Sequence, residues 1–514
     1  MMRQTSPFIE IMDTTLRDGE QTSGVTFLPY EKLAIARMLL GEVNVDRIEV
    51  ASARTSEGDR KAVHLITDYA RRTEMIDRVE VLGFVDGHQS VDWIEECGGR
   101  VLNLLAKGSE RHCEEQLRRS AVEHAIDISE EVTYACKREM DVNIYLEDWS
   151  SGMKYSEAYV YRLMDRLQQL PVKRFMLADT LGILQPLQCI EYLRKMKKRY
   201  PKLRFDFHAH NDYDLAVSNS LAAVLCGVSG LHVTVNGLGE RCGNAPLSSV
   251  QAILKDHFKA ITNIDESHLV DISRIVEGYS GIAVAPNMPV VGENVFTQVA
   301  GIHADGDSKA GLYANLLTPE RFGRRREYAL GKNSGRASVE MNLGELGLVL
   351  TEEQTERVTR RIIELGDRKE LVTQDDLPFI VSDVVKHHVP QERVRLIDYM
   401  VTNSLGTKPL AVVKVEIEGK IYMGESTGDG QYDAFVKAMR KIFRERLGKV
   451  FPLLLTYTVS IPPGGRTDAL VQTDITWAAM RGPLKTRGLD ADQTGSAIKA
   501  TMKMLNMVEF TDAE

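Results

Sequence analysis

The sequence predicts a (β/α)₈ (TIM) barrel, followed by a helical region and a small α+β domain. Three observations predict this architecture: eight short apolar runs in the first 240 residues, amphipathic stretches between them, and a duplicated pattern near the C-terminus. Strands that alternate with helices indicate a parallel sheet, and eight repeats favour its closure into a barrel. A GxGxxG turn after the first run would favour an open sheet, and the sequence has none there.

The predicted strands are spread over the barrel segment, which we assign to residues 1–268. They are 8–13, 46–50, 79–84, 101–105, 142–147, 174–178, 204–208 and 231–235. Helical periodicity lies between them, for example over 30–40, 156–169 and 215–227.

The alternation of strands and helices stops near residue 270. Residues 269–394 have mostly helical patterning and one long loop, 300–323, and long loops in compact proteins are usually functional. Residues 395–514 contain two related units, each with two strand-like runs that lead into a helix, and Gln431 corresponds to Gln493. This duplication predicts a pseudo-symmetric domain, either with a ligand cleft between its halves or serving dimerisation without a ligand.

Composition and charge exclude several classes of partner. The apolar content of 43% and charged content of 27% are typical of soluble globular proteins, and the net charge of -9 disfavours nucleic acid or an anionic membrane. The six cysteines form no CxxC pair, which fits reduced thiols. No signal peptide and no stretch of roughly 18 apolar residues is present. We therefore expect a cytoplasmic protein with no nucleic-acid or membrane partner.

Polar residues follow several strands directly, at the barrel mouth where this fold builds its active sites. His208 and His210 end the seventh strand, and residues i and i+2 of a strand point to the same side. Imidazole is the commonest neutral metal ligand, Asp18 supplies a balancing charge, and Asn244 can add an amide oxygen. The pattern predicts a divalent metal site for Mg²⁺, Mn²⁺ or Zn²⁺.

Arg17 adds a second positive charge beside Asp18. A simpler interpretation is that Asp13, Asp18 and Glu20 cap a helix or pair with Arg17. A metal and an arginine can together hold a 2-oxo acid by its carbonyl and carboxylate oxygens. Thr180, after the sixth strand, could take the remaining carboxylate oxygen. These residues predict an enzyme that acts on a small oxo acid.

Four separated motifs resemble one family. They are DTTLRDGEQ (13–21), HAHND (208–212), NGLGERCGNAPL (236–247) and AGIHADG (300–306). Together they resemble the acyl-CoA-condensing branch of the DRE-TIM metallolyases, which contains the 2-isopropylmalate, citramalate and homocitrate synthases. The resemblance covers nearly the whole chain and implies a metal-dependent condensation of acetyl-CoA with a 2-oxo acid, followed by thioester hydrolysis.

The resemblance also implies roles for residues of this sequence. The expected metal ligands are Asp18, His208, His210 and Asn244. The expected catalytic residues are Arg17, which stabilises the developing alkoxide, Glu147 as its neighbouring carboxylate, His303 as the base for the acetyl methyl, and Tyr313. The expected acetyl-CoA region contains Asp305, Leu312 and Tyr313. Because the base lies outside the barrel, two parts of the protein must come together, as in a homodimer.

Segments near the predicted substrate pocket, such as YLEDWS (145–150) and HNDYDLAVSNS (210–220), resemble the citramalate synthases. The resemblance implies that the substrate contacts are Arg17, Leu82, Phe84, Leu105, Tyr145 and Thr180. Large apolar groups leave room for a methyl but crowd an isopropyl group, at a cost of about 1–3 kcal/mol.

This crowding favours pyruvate, which would give (R)-citramalate for isoleucine biosynthesis. The alternative is 2-oxoisovalerate, the substrate of 2-isopropylmalate synthase in leucine biosynthesis. A carbon–carbon lyase of the same superfamily and a catalytically silent amino-acid sensor are further alternatives.

By the same resemblance, the C-terminal domain binds the end product of the pathway, isoleucine in the favoured case and leucine in the alternative. Two turns rich in glycine and aspartate, 428–433 and 490–495, precede helices whose N-terminal N–H groups can hold a carboxylate. The candidate regulatory residues are Tyr432, Asp433 and Gln493. The simpler interpretation is that the turns need these residues without any ligand.

Overall fold

The computed structural model describes residues 7–299, 306, 312–367, 372, 374–385, 393–460, 471–479, 482–508 and 510. The chain divides into two compact units, Met1–Thr297 with Tyr313–Glu327, and Gln298–Leu312 with Tyr328–Glu514. Within the described residues, no helix has both the length and the apolar character that a membrane span requires. The division into 1–268, 269–394 and 395–514 stays a prediction.

The first unit contains the predicted closed barrel of eight parallel strands. They are β1 Glu10–Asp13, β2 Arg47–Ser52, β3 Val79–Phe84, β4 Val101–Lys107, β5 Asp141–Glu147, β6 Arg174–Asp179, β7 Phe205–Ala209 and β8 Gly230–Val233. Each predicted strand coincides with an observed one, and the bounds differ by at most two residues. The barrel prediction is therefore confirmed.

Helices follow the strands. They are α1 Pro29–Arg37, α2 Glu57–Arg72, α3 Gln89–Glu96, α4 Ala121–Lys137, α5 Trp149–Tyr155, α6 Glu157–Leu167, α7 Pro186–Arg199, α8 Ala216–Leu225, α9 Leu247–Ile253 and α10 Leu269–Ser280. Local sequence sets several of their starts: Ser56 and Ser120 accept backbone hydrogen bonds at the N-termini of α2 and α4, and α1 and α7 begin at proline. Two short strands, β9 Thr297–Gln298 and β10 Glu327–Tyr328, pair with each other.

The barrel interior is charged near the N-terminal ends of the strands and apolar above them. Arg47 donates to Glu80 at 2.9 Å and to Asp206 at 2.5 Å, and all three side chains are buried. The next inward positions along the strands form a small apolar cluster, which consists of Met12, Leu82, Tyr145, Met176 and the partly buried Leu105. The outward-facing alternate residues of the strands belong to the main hydrophobic core. The apolar cluster therefore forms a floor beneath the barrel mouth.

The second unit contains helices α11 Arg336–Glu345, α12 Glu352–Asp367 and α13 Leu377–Val385, which enclose a small core of their own. Two similar modules follow. The first has β11 Val394–Thr402, β12 Leu410–Ile417, β13 Lys420–Thr427 and α14 Gln431–Leu447. The second has β14 Leu454–Ser460, β15 Val471–Ala479, β16 Gly482–Asp490 and α15 Gln493–Met507. The predicted duplication is thus present, and the two modules share one core.

Each module has three strands, whereas the sequence analysis predicted two. No residue of the strand β13 is buried, so this strand has no need of an apolar face. Its sequence therefore lacks the alternation of apolar and polar residues that identifies a strand. Glycines let the helices approach closely: a Cβ on Gly424 would lie 2.7 Å from Ile442 Cγ1, and one on Gly488 would lie 1.8 Å from the Ser496 carbonyl oxygen. Because glycine is common in turns, these glycines made the sequences of both third strands resemble turns.

Candidate active site

Three of the four predicted metal ligands come together at the barrel mouth. Asp18 Oδ2 lies 3.3 Å from His208 Nε2 and 3.9 Å from His210 Nε2, and candidate ligand atoms of all three buried residues lie within 4.8 Å of one another. Asp18 is in the turn after β1, whereas His208 is in β7 and His210 directly follows the last residue of that strand. The period of two along a strand therefore places both imidazoles on the same side.

The charge states of these side chains suit cation binding. Burial alone would raise the pKa of Asp18, but Arg17 and the two histidines hold it well below its usual value, so this carboxylate is ionised. Burial, together with the neighbouring His208, lowers the pKa of His210 to about 4. Its ring is therefore neutral near pH 7 and has a lone pair available for a metal ion.

Asn244 reaches the same place through the loop after β8. It forms a backbone bridge with His210, and its Nδ2 donates to the Leu238 carbonyl oxygen at 3.0 Å. A Cβ at position 239 would lie 2.2 Å from Asn244 Nδ2, and Gly239 has a positive φ of 152°. Only glycine fits this close approach, which fixes the amide and leaves its oxygen for another partner.

The donor set fits a divalent cation. Two buried oxygens of this site, Asp18 Oδ1 and Asn244 Oδ1, have no hydrogen-bond partner among the described residues. Buried polar atoms are normally satisfied, so two such oxygens beside the two imidazoles indicate a ligand. A carboxylate, two imidazoles and an amide oxygen form the mixed oxygen and nitrogen set that Mg²⁺, Mn²⁺ and Zn²⁺ accept.

Arg17 lies beside these ligands and is held on several sides. Its Nη1 donates to Asp18 Oδ2 at 2.9 Å, its Nε donates to Glu49 Oε2 at 2.6 Å, and its Nη2 lies 3.3 Å from the Tyr145 hydroxyl. Glu49 is fully buried in β2. Burial would raise the pKa of Glu49, but the charge of Arg17 and hydrogen bonds from Asn103 and Thr14 hold it below its usual value. Glu49 is therefore an ionised partner that sequence reasoning missed.

The carboxylates that pair with Arg17 are Asp18 and Glu49, whereas Glu147 pairs with a different cation. Glu147 forms an ion pair with Lys107, which is its register partner at the end of the neighbouring strand β4. One feature of the sequence could have indicated that Glu49 is buried in the barrel. Arg47 and Glu49 are charged residues at alternate positions of an apolar strand. That spacing points both side chains into the barrel. A catalytic role of Glu147 stays a prediction.

Three of the predicted side-chain pocket residues lie together in the apolar cluster: Leu82, Leu105 and Tyr145. Tyr145 also neighbours the metal site, since its ring centroid lies 6.0 Å from that of His208. Phe84 lies outside the cluster and is 37% exposed. Sequence reasoning missed two members, Met12 and Met176, although both occupy inward positions of their strands. Contact of this cluster with a substrate stays a prediction.

The remaining predicted residues have mixed outcomes. Thr180 Oγ1 accepts a hydrogen bond from the Asp148 backbone at 2.8 Å, so its own hydroxyl hydrogen can be donated to another group. Leu312 and Tyr313 are exposed, and Leu312 belongs to the second unit. His303 and Asp305 lie outside the described residues. The acetyl-CoA contacts and the catalytic base therefore stay predictions.

The candidate regulatory residues line one cavity in the second unit. This cavity, of about 680 Å³, is bordered by the first turns of α14 and α15 and includes Tyr432, Asp433 and Gln493. The Tyr432 hydroxyl lies 2.7 Å from Thr501 Oγ1, and Asp433 pairs with Lys437 at 2.7 Å. Both modules contribute the same part of their helices, as a duplicated ligand site would require. Their regulatory role stays a prediction.

Family models match nearly the whole chain. The HMGL-like family matches residues 8–276, which is more than half of the chain. Residues 290–370 match the homocitrate synthase post-HMGL domain-like family, and residues 371–509 match the LeuA allosteric (dimerisation) domain.

Curated relatives cover the same extent. An (R)-citramalate synthase of Methanocaldococcus jannaschii is 34% identical over 502 residues, which are 97% of this chain and 99% of the relative. A 2-isopropylmalate synthase of the same organism is 32% identical over 506 residues, which are 97% of this chain and 94% of the relative. Identity alone therefore does not distinguish the two activities.

The chain belongs to the HMGL-like family of DRE-TIM barrel enzymes, in the group that also carries a LeuA domain. It is an acyltransferase of the type that contains the citramalate and 2-isopropylmalate synthases. This family is dependent on a divalent metal, which agrees with the donor set formed by Asp18, His208, His210 and Asn244.

Proposed function

We propose that the protein condenses acetyl-CoA with pyruvate to give (R)-citramalate and CoA, for isoleucine biosynthesis. The observation that carries this proposal is the apolar cluster of Leu82, Leu105 and Tyr145 directly beside the metal site. Tyr145 is 2% exposed and packs within this cluster. A methyl group needs little space against such a floor, whereas an isopropyl group would have to displace buried side chains.

Arg17 would bind the oxygens of the 2-oxo acid. A guanidinium has five N–H groups, and three of them are directed at Asp18, Glu49 and Tyr145. Two N–H groups are left for the substrate, in the planar arrangement that suits carboxylate and carbonyl oxygens. The Thr180 hydroxyl would donate to the carboxylate. A cation held by the four predicted ligands would supply Lewis-acid polarisation of the keto group.

The carbon–carbon bond requires removal of a proton from the acetyl methyl group. We assign this step to His303, because an imidazole has a pKa near working pH. The resulting electron pair attacks the keto carbon, Arg17 stabilises the developing alkoxide, and water then cleaves the thioester to release CoA. Asp305, Leu312 and Tyr313 would contact acetyl-CoA. Glu147, paired with Lys107, would border the site.

The C-terminal domain would provide dimerisation and feedback control. The match of residues 371–509 to an allosteric dimerisation domain supports both roles. The cavity that contains Tyr432, Asp433 and Gln493 would bind the end product, and pyruvate as substrate implies isoleucine as that product.

The direct test is CoA release from acetyl-CoA with pyruvate, 2-oxobutyrate, 2-oxoisovalerate or 2-oxoglutarate, with the product identified by mass spectrometry and chiral chromatography. We expect the highest kcat/KM with pyruvate, and (R)-citramalate as product. Equal or faster turnover with 2-oxoisovalerate would identify a 2-isopropylmalate synthase, the alternative that the second relative supports. No condensation product with any acid would reject both activities.

Tyr145→Val tests the pocket itself. The smaller side chain removes part of the buried floor, so we expect the ratio of kcat/KM for 2-oxoisovalerate over pyruvate to rise about tenfold or more. The matched control is Tyr155→Val, because Tyr155 is 75% exposed and lies at the end of α5. An unchanged ratio in Tyr145→Val would reject the size argument.

A further inference from the structure

His232, in β8, is a buried side chain of the barrel interior to which neither the motifs nor the proposed reaction gives a role. Its Nδ1 lies 2.9 Å from the Tyr145 hydroxyl oxygen, and its Nε2 faces Asp206 Oδ2 at 3.5 Å. The imidazole thus stands between the charged lower layer of the barrel and the apolar cluster that contains Tyr145. This position connects the two layers.

The two neighbours of His232 fix which ring nitrogen carries the hydrogen. Asp206 accepts hydrogen bonds from Arg47 at 2.5 Å and Arg174 at 3.4 Å, and an ionised carboxylate can only accept. We therefore assign the hydrogen to His232 Nε2, because this nitrogen faces the Asp206 carboxylate at 3.5 Å. His232 Nδ1 is then an acceptor, and the Tyr145 hydroxyl donates its hydrogen to it.

This direction of the hydrogen bond determines what Tyr145 offers to Arg17. With its one hydrogen directed at His232, the phenol oxygen presents lone pairs, and Arg17 Nη2 lies 3.3 Å from it. If the hydrogen turned towards Glu49 Oε2, which lies 3.5 Å away, the ring would lose its anchor on β8. His232 thus holds the ring of Tyr145 and keeps its oxygen an acceptor for Arg17.

The local backbone leaves room for this arrangement. Gly230, two residues before His232, lies next to the Asp206 carboxylate. A Cβ at position 230 would lie 2.6 Å from Asp206 Oδ1 and 2.7 Å from its Cγ. Because Arg47 and Arg174 hold that carboxylate, it could not easily move aside, so glycine is required where Asp206 turns towards His232.

We propose that His232 is a specificity-determining positioning residue, which locks Tyr145 across the floor of the pocket and thereby restricts the 2-oxo acid to one with a small side chain. This inference rests on the proposed function, since it concerns the pocket that would select pyruvate. It adds a residue that acts on the substrate only through Tyr145 and Arg17.

Two substitutions separate the two ring nitrogens. In His232→Asn, the amide oxygen takes nearly the position of Nδ1 and can still accept from Tyr145. In His232→Gln, the amide takes nearly the position of Nε2. It therefore faces Asp206 and no longer accepts a hydrogen bond from the Tyr145 hydroxyl. We expect His232→Gln to lower the ratio of kcat/KM for pyruvate over 2-oxobutyrate about tenfold, and His232→Asn to keep it within about twofold.

A double-mutant cycle then tests the coupling. Tyr145→Phe keeps the ring and removes the hydroxyl, so it should lower the same ratio by a similar factor. The double variant Tyr145→Phe with His232→Gln should fall no further, because both substitutions remove the same hydrogen bond. Additive effects, or an unchanged ratio in folded His232→Gln with normal metal content, would overturn the proposal.

A measurement on the wild-type protein does not depend on whether a variant folds or on which 2-oxo acid is the substrate. Nitrogen NMR of histidine-labelled protein, with the His232 signals assigned from their absence in a variant, reports the tautomer. We expect hydrogen on Nε2, and hydrogen on Nδ1 would overturn the proposal. If wild-type protein prefers another 2-oxo acid, the proposed function fails, whereas the coupling of His232 to Tyr145 is still measurable as non-additivity on the preferred acid.

Discussion

At the mouth of the barrel, Arg17 is bounded by two carboxylates, with Asp18 next to it in the chain and Glu49 facing it from β2. Glu49 is itself fixed by Thr14 Oγ1 at 2.7 Å and Asn103 Nδ2 at 2.8 Å. A buried cation is stable only when such partners surround it. The orientation of the guanidinium group therefore depends on Glu49, and so does its binding of a substrate.

Glu49→Gln removes the charge of this partner with little change in volume. We expect kcat/KM for the 2-oxo acid to fall by about 10- to 100-fold, because Arg17 loses a charged hydrogen bond that orients it. The metal content should not change, since Glu49 is not a predicted ligand. The measurement is steady-state kinetics together with metal analysis.

The control for this substitution is Glu96→Gln, which removes an exposed carboxylate whose ion pair with Arg60 lies on the surface. Its kinetics should match those of the wild-type protein. A Glu49→Gln variant with unchanged kcat/KM would show that Arg17 needs no second carboxylate.

The sequence predicted correctly the convergence of residues whose spacing along one strand directs their side chains to the same place. His208 and His210 are two positions apart on a strand, so their convergence follows from strand geometry. Glu49 and His232 were missed because their importance comes from partners on other strands. The ion pair between Glu147 and Lys107 was not predicted, because the register that places these two residues side by side is a property of the folded sheet.

Among the helices and strands, α1 is unusual because one of its lysine side chains is buried. Lys32 is 1% exposed and pairs with Glu20 at 2.6 Å and Asp59 at 2.7 Å. Its ammonium group also donates to the carbonyl oxygens of Leu16 at 3.0 Å and Val50 at 3.3 Å. Lys32 therefore ties the turn that carries Arg17 and Asp18 to β2 and to α2.

Lys32→Met should destabilise the barrel, because it leaves two largely buried carboxylates without their cation. We expect the free energy of unfolding to fall by about 3 kcal/mol, measured by denaturant titration. The control is Arg111→Met, whose ion pair with Glu115 is exposed and should contribute less than about 1 kcal/mol. Equal effects of the two substitutions would mean that Lys32 does not hold this turn.

Element prediction succeeded where one side of a strand meets a large core. The barrel strands have continuous apolar outward faces, which packing against helices requires, so each was visible in the sequence. The third strand of the first C-terminal module has no buried position, and the glycines of both third strands serve close contact with the helices. Such strands become recognisable only once the partner helix is known.

At the scale of the whole molecule, the predicted metal ligands belong to the first unit, and the cavity lined by Tyr432, Asp433 and Gln493 belongs to the second. A feedback-regulated enzyme needs two distinct sites, so that an effector bound at one changes affinity or turnover at the other. The matched LeuA domain supports that interpretation.

Isoleucine should bind this cavity and lower the turnover of pyruvate. We expect Gln493→Ala to weaken isoleucine binding about tenfold or more, measured by isothermal titration calorimetry, because a polar group lining the cavity is lost. Lys441→Ala, on the outer part of α14 and away from this cavity, is the control and should bind normally. Tighter binding of leucine than of isoleucine would contradict the effector assignment.

Asp18, His208 and His210, with Asn244, should hold one divalent cation on which turnover depends. The most direct measurement is calorimetric titration of Mn²⁺ into chelator-treated protein, with CoA release followed in parallel. We expect one site per chain, recovery of activity in proportion to its occupancy, and an affinity at least about 100-fold weaker in a folded His210→Ala variant. Full turnover without metal, or wild-type affinity in His210→Ala, would contradict it.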